Sequence, residues 1–372
     1  MSDLPAATDT IRARDSKGHR LPSLDSLRGL TILGMILVNC SAALQYFEGP
    51  VFAPLLHADW VGFNIADTVF PAFIVMVGVS IAVSARPDRP LDTAAVLTRA
   101  VRLILLGLFV TNMFMLWNAS AFTFRLPGVL QRIGIVYGAA ALLYPSMSMR
   151  VRAILAGAIL ILYWPLTLIP QPDGLPTNLW VEGHNFASSL DRAVLGNWAD
   201  VHGPAGYDPE GILSTLPTFA ECLIGTVAGD LLRRGRAERP LLMWGGAMIA
   251  GGIAWGFVFP IVKKFWTSSF VLLSAGLTLV LLAAFHAWLD RNDAPIRRGG
   301  LLGSFGRNAI TAYVLHEAGI FLLSSSALRA VFAWIMPHTG TQIAALAPVA
   351  IYIAILWWLF GSMDRRGWYV KI

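Results

Sequence analysis

The sequence predicts an all-α polytopic membrane protein with about ten transmembrane helices and both termini in the cytoplasm. Composition is the first reason. Of 372 residues, 56% are hydrophobic and 13% charged, with a mean hydropathy of +0.63, whereas a soluble domain carries roughly a quarter charged residues. The second reason is length: apolar runs of about 20 residues, enough to cross a bilayer core, recur from Leu27 to the C-terminus. A soluble enzyme is excluded. The net charge of +6 reflects membrane orientation rather than nucleic-acid binding.

Residues 1–26 are polar and basic, contain no apolar segment of signal-peptide type, and read as a cytosolic tail. Expected spans follow at 27–45, 61–84, 96–117, 127–145, 150–169, 211–232, 241–260, 267–289, 306–325 and 344–361. The membrane domain thus covers 27–365, and 366–372 form a second cytosolic tail. Cys40 and Cys222 both fall in apolar runs, which suggests buried thiols rather than a disulfide framework.

Basic residues orient the chain, because short cytoplasmic loops carry an excess of Lys and Arg. With the N-terminus inside, 21 of the 28 Lys and Arg residues are cytoplasmic. Arg125, Arg192, Lys263, Lys264 and Arg329 fall outside, while Arg132 and Arg307 lie within or at the edge of spans. One long connection, 170–210, lies outside and is rich in Trp, Asn, Asp and Gly. That mixture suits a polyhydroxyl ligand and equally suits an ordinary periplasmic loop.

Polar groups recur at the outer level of several spans. In "LLHADWVGFNIADTVFPAF", His57 and Trp60 lie in the short link after span one, followed by Asn64 and by Asp67, about two turns into span two. Asn39 lies at a similar depth in span one. Gln131 and Arg132 enter span four, Asp208 and Glu210 begin span six, and Lys264 precedes span eight. His316 and Glu317 stand near the middle of span nine. Ionisable groups in a membrane are costly and mark functional sites by default. Structural readings stand beside the functional one: Asp67 could pin backbone, His57 could be a solvated loop residue, Arg132 could be a structural ion-pair partner, and Lys263 and Lys264 could be interfacial. No metal site is expected, because no HxxxH or CxxC spacing occurs and adjacent His316 and Glu317 point to different helix faces.

The ordered segments "SLDSLRGLTILGMILVN", "LHADWVGFNIADTVFPAFIVMVG", "LPGVLQRIGIVY", "YDPEGILSTLPT", "WTSSFVLLSAG" and "GRNAITAYVLHE" resemble the heparan-α-glucosaminide N-acetyltransferase family, including its bacterial NagX-type members. The likeness runs from about residue 23 to 365. It implies a transmembrane acyltransferase of the bacterial inner membrane, similar to compact forms without the extra N-terminal luminal domain of the animal lysosomal enzyme. Such an enzyme takes acetyl-CoA as co-substrate from the cytosol and an amino sugar as acceptor on the periplasmic side, uses no metal, and leaves room for a homodimer. The active histidine of the H-x-x-W-G block matches His57, a late span-one asparagine matches Asn39, and the aspartate of the AD-x-x-FP block matches Asp67. These three are the expected catalytic residues. Trp60, Asn64, Gln131, Arg132, Asp208, Glu210, Lys264, His316 and Glu317 are expected to bind substrate. Where the family has "WNG", this chain has "WVG", a departure that bears on the acceptor. A transporter of N-acetylglucosamine or a related solute would use the same polar cavity, with His57 and Asp67 coupling protons.

Overall fold

Hydrocarbon cannot hydrogen-bond to backbone, so a segment crossing it must satisfy its own N–H and C=O groups. The computed structural model describes residues 21–48, 52–86, 91–116, 123–235, 237–291 and 298–370. Among them the regular structure is helical, apart from one isolated bridge between Val201 and Tyr207. The first 20 residues of the expected N-terminal tail and the last two of the C-terminal tail lie outside the described residues, as do Arg89, Arg236 and Arg297.

Helix α1 (Pro22–Glu48) opens with proline, whose fixed φ suits a first helical turn. At 27 residues it is about 40 Å long. Then come α2 (Val69–Ser84), α3 (Thr93–Asn112), α4 (Val129–Leu143), α5 (Met149–Thr167) and the short α6 (Phe186–Val194). Helices α7 (Thr215–Arg233), α8 (Glu238–Gly256) and α9 (Ser268–Phe285) follow, the last continuing as a π turn over His286–Asp290. The chain closes with α10 (Leu301–Arg307), α11 (Ala309–Gly319), α12 (Ser326–Thr339) and α13 (Thr341–Arg365).

Among the described residues, six helices are long and apolar enough to cross a membrane: Pro22–Leu44, Ile65–Ser84, Thr93–Asn112, Met149–Thr167, Ser268–Asp290 and Thr341–Arg365. The other expected spans fall on helices that are shorter or more polar. α4 has 15 residues, and α7 carries Glu221 and Asp230. The segment expected as one span at 306–325 is broken. α10 ends at Arg307, Asn308 leaves helical geometry at φ −111° and ψ 27°, and a 3-10 turn over Ile320–Ser324 follows α11. The connection expected between the last two spans is itself largely helical, as α12.

Helix pairs inside a bilayer gain little from hydrophobicity and depend on close packing, which favours small residues at the contact. The α2–α7 pair shows this directly. A Cβ on Gly78 would collide with the Cys222 carbonyl, and one on Gly225 with the Val75 carbonyl. Backbone therefore rests on backbone at this crossing.

A separate aromatic cluster ties the loops together at one end of the bundle. Trp60, Tyr163, Leu179, Tyr207, Phe259 and Phe265 form it, drawing on the 56–64 link, α5, the long connection and the α8–α9 loop. Trp60 stacks on Phe265 at 5.4 Å between centroids and meets Tyr207 edge-on. Its indole N–H donates to the Leu179 carbonyl at 3.0 Å.

Candidate active site

Two cavities lie end to end in the bundle. Along α1, Arg28 faces the first, and Ile32, Met35 and Asn39 face the second. Along α2, Val77 and Ser80 line the first while Val69 and Phe70 line the second. Helices α4 and α11 run in the same way between them. Phe73, Leu130, Ile133, Ala309 and Ile310 belong to both walls, so these apolar side chains stand between the cavities.

The first cavity is about 1040 Å³ and has Arg28, Arg86, Arg99, Arg233 and Arg307 in its wall. Small-molecule and cofactor sites span about 300–1,000 Å³, so this one has room for a large ligand. Several of the arginines are anchored. Arg28 donates to Ser80 Oγ at 2.9 Å, Arg99 lies 4.8 Å over the Tyr137 ring, and Arg307 grips both Asp364 oxygens at 2.6 Å.

The second cavity, about 330 Å³, contains His57, Asn39, Glu210, Lys263, Lys264 and Glu317 in its wall. Asp67 lies directly behind His57. It belongs to the 3-10 turn Ile65–Thr68, capped by Asn64 in a reciprocal box. Asp67 Oδ2 accepts the backbone N–H of Asn64 at 2.9 Å and of Ala58 at 3.3 Å. The other oxygen, Oδ1, lies 2.8 Å from His57 Nδ1. The Asp67 side chain is 1% exposed and that of His57 41%. An ionised carboxylate can only accept, so the pair assigns the proton to Nδ1 and leaves Nε2 with its lone pair. Buried aspartate thus orients a solvent-reaching histidine.

Lys263 completes the cluster. Its Nζ is 3.0 Å from each ring nitrogen of His57 and 3.7 Å from Asp67 Oδ1. It lies in the α8–α9 loop, outside the helices, where burial lowers its pKa to about 8 against the raising influence of Asp67 and Glu210. Asn39 Nδ2 donates to Glu317 Oε1 at 3.1 Å, which fixes the amide on the same cavity wall as His57.

The remaining expected binding residues divide by position. Glu210 and Lys264 line the cavity but are tied elsewhere, Glu210 to Arg125 at 2.5 Å and Lys264 to Glu182 at 2.9 Å. Asp208 is buried behind that wall as a bidentate partner of Arg125 at 2.8 and 3.0 Å. These acids, Asp208 and Glu210 foremost, raise the Arg125 pKa despite burial.

Trp60, Asn64, Gln131, Arg132 and His316 are not part of the cavity wall. Trp60 is 7% exposed within the aromatic cluster. The Asn64 amide donates to the Leu56 carbonyl at 2.9 Å, shaping the link rather than facing a ligand. Gln131 turns to Thr111 Oγ1 and the Leu126 carbonyl, each at 3.3 Å. Arg132 is fully buried, bonded to Ser214 Oγ and to the Gly211 carbonyl at 3.1 Å, and lies 5.1 Å over the Trp266 ring. His316 is fully buried on the far side of its helix, 5.9 Å from the Tyr352 ring.

Sequence reasoning passed over Lys263, Arg125 and Asp200 as part of this wall. For Lys263 the available signal was "VKKFW", a lysine pair next to a buried tryptophan. Among the described residues, no group of three His, Cys, Asp or Glu side chains could hold a metal ion.

Comparison with known proteins places this geometry in a family. Residues 20–249 match the model described as heparan-alpha-glucosaminide N-acetyltransferase, catalytic. The chain is similar to the heparan-alpha-glucosaminide N-acetyltransferase of Homo sapiens, 26% identical over 361 residues, covering 80% of this chain and 53% of the human protein. The Mus musculus protein of the same name is 25% identical over 387 residues, covering 84% of this chain and 56% of its own length. The chain thus spans about half the length of these relatives. The matched region contains α1, α2, His57 and Asp67, and the chain belongs to the heparan-α-glucosaminide N-acetyltransferase catalytic family.

Proposed function

We propose that this protein transfers an acetyl group from acetyl-CoA across a membrane to the amine of a glucosamine-type sugar. The supporting observation is the pairing of the two cavities: a large arginine-walled one meets, across five apolar side chains, a smaller one holding an aspartate-oriented histidine. On this reading the protein sits in a bacterial inner membrane with about ten spans, counting the shorter and broken helices, and both termini inside. The arginine cavity then opens to the cytosol and the His57 cavity to the periplasm.

Arg28, Arg86, Arg99 and Arg233 would meet the anionic nucleotide head, for which guanidinium geometry is suited. The narrow thioester-bearing arm passes between Phe73, Leu130, Ile133, Ala309 and Ile310. At the far end His57 Nε2 takes a proton from the acceptor amine as its nitrogen attacks the thioester carbonyl carbon, a general-base step. The second N–H of the Asn39 amide is available to the developing oxyanion, an interaction worth about 3–4 kcal/mol when well placed. When the C–S bond breaks, His57 returns the proton to the departing thiolate. His57 could instead accept the acetyl group first, as a covalent carrier.

The test uses purified full-length protein with radiolabelled acetyl-CoA and glucosamine. Labelled N-acetylglucosamine from wild type, and none from His57→Ala, is the expected result. Solute uptake into liposomes without turnover on any amino sugar would replace this reading with a transporter. Label retained on His57 in the absence of acceptor would select the covalent route.

A further inference from the structure

Lys263 occupies a position that neither the His57–Asp67 pair nor Asn39 accounts for. Equal distances of 3.0 Å to Nδ1 and Nε2 of His57 take Nζ off the in-plane direction of either ring nitrogen and set it over the ring face. The lysine therefore is not simply a hydrogen-bond donor that would block the histidine base. Its side chain is 19% exposed and projects into the same cavity as the Nε2 side of the ring.

The backbone fixes that position. Trp266 N donates to the Lys263 carbonyl at 2.9 Å and Thr267 N to the Val262 carbonyl at 3.1 Å, the paired bonds of a Schellman turn. Glycine is the usual residue at the left-handed position of such a turn, yet here it is Trp266 at φ 58°. A bulky residue there stores about 1–3 kcal/mol of strain and persists only where surroundings over-determine it. The surroundings do so. The Trp266 indole N–H donates to Glu221 at 2.9 Å, and its ring meets Phe70 at 5.1 Å and Phe270 at 5.3 Å. Strain at this turn aims Lys263.

We propose that Lys263 is a catalytic residue of the acetyl transfer, its ammonium stabilising the oxyanion of the tetrahedral intermediate beside His57. This rests on the acetyltransferase reading above. The amine nitrogen bonds to the carbonyl carbon, the C=O π pair moves onto oxygen opposite Nζ, and His57 Nε2 receives the amine proton. Collapse re-forms C=O, breaks C–S, and sends that proton to sulfur. Before substrate arrives, Asp67 is the counter-charge of Lys263.

The charged and titratable groups facing Lys263 are His57 and Asp67 from the link and the 3-10 turn, and Glu210, Asp200 and Arg125 from and around the long connection. Lys264 of its own loop and Tyr313 and Glu317 of α11 complete the set. Among these, Asp67 and Glu210 oppose the lowering by burial and Lys264 adds to it, leaving a pKa of about 8. The ammonium is thus the main form at neutral pH and is lost as pH rises through about 8.

The experiment compares wild type, Lys263→Arg and Lys263→Met in the glucosamine assay across about four pH units, since the pH profile of rate reports the essential groups. Lys263→Met should lower kcat about 10²–10³-fold, the range seen on loss of one oxyanion donor, with the acetyl-CoA KM within about twofold of wild type. Lys263→Arg should restore most of kcat and move the alkaline limb upward, because guanidinium stays charged. A fully active Lys263→Met, or an Arg variant with the wild-type alkaline limb, overturns the proposal while leaving the His57 result standing. No turnover by wild type on any amino sugar overturns the acetyltransferase reading itself, and a fully active His57→Ala overturns only the role given to His57 within it.

Discussion

The backbone N–H of Gly62 donates to the Ile261 carbonyl at 2.9 Å, and this bond joins the two loops that carry His57 and Lys263. Gly62 sits at φ 137°, a conformation glycine adopts without steric cost. The cluster is therefore assembled from two connections held against each other, with Trp60 stacked on Phe265 a few residues away on each side.

Asp67→Asn should reduce kcat by about 10³-fold or more, because an amide no longer fixes the proton on Nδ1; loss of an orienting aspartate costs about 10⁴ in the serine-protease triad. Thermal stability should change little, since asparagine still accepts the capping N–H bonds. Asp67→Ala should additionally lose about 1 kcal/mol of capping energy. Steady-state kinetics and a thermal-unfolding series on the purified variants separate the two effects; an Asn variant with wild-type kcat would rule out the orienting role.

Arg125→Met should destabilise the protein by about 3 kcal/mol, the lower end for breaking a buried ion pair. It leaves Asp208, whose side chain has no exposure, and Glu210 without their cation. Replacing Asp208, Glu210 and Asp200 by their amides in the same background should recover part of the loss. No recovery in the unfolding midpoint would mean that the pairing energy is not what Arg125 supplies.

Gly225→Leu should abolish assembly of the bundle, because even a Cβ there meets the Val75 carbonyl and backbone cannot yield. Gly157→Ala is the matched control. It lies in α5 with nothing within 4 Å of its added Cβ, and should be neutral or stabilise by up to about 1 kcal/mol. Size-exclusion profiles in detergent distinguish the pair, and a monodisperse Gly225→Leu protein would contradict the packing argument.

Asp191, in α6 of the long connection, has its pKa raised to about 6 by burial. A carboxyl held above its ordinary value contributes stability at low pH that is lost as pH rises through about 6, because the buried charged form is disfavoured. The connection should therefore resist protease better at pH 5 than at pH 7, as far as Asp191 governs it. Asp191→Asn, which keeps one acceptor oxygen for Ile212 N–H and loses the acceptor for Asp208 N–H, should flatten that dependence at some cost in stability at every pH. An unchanged pH profile of cleavage in this variant would assign the effect to other groups.

Hydropathy made the helical class and most helix positions legible, because apolar length is a property of single segments. The break at Asn308 and helix α12 were not legible. Nothing in "GRNAITAYVLHE" forbids a continuous helix. At the interruption Arg307 reaches Asp364 on α13, a contact between segments distant in sequence. The polar residues show the same division. His57, Asn39, Asp67, Glu210, Lys264 and Glu317 converge at or directly behind one cavity wall. Depth along a span places a residue at a level but says nothing about azimuth, so Gln131, Arg132 and His316 share the level and face other helices. Lys263 was hidden for a related reason: its meaning comes from a turn whose left-handed residue is a tryptophan.

The five side chains shared by both cavity walls have an electrical consequence. Two polar cavities entering a membrane from opposite faces shorten the path over which ions must be refused, and the transmembrane voltage falls across whatever remains. On the orientation proposed above, that insulation is a single apolar layer of Phe73, Leu130, Ile133, Ala309 and Ile310. On the proposed orientation, shaving it, as in Phe73→Ala, trades chemical access for leakage of protons.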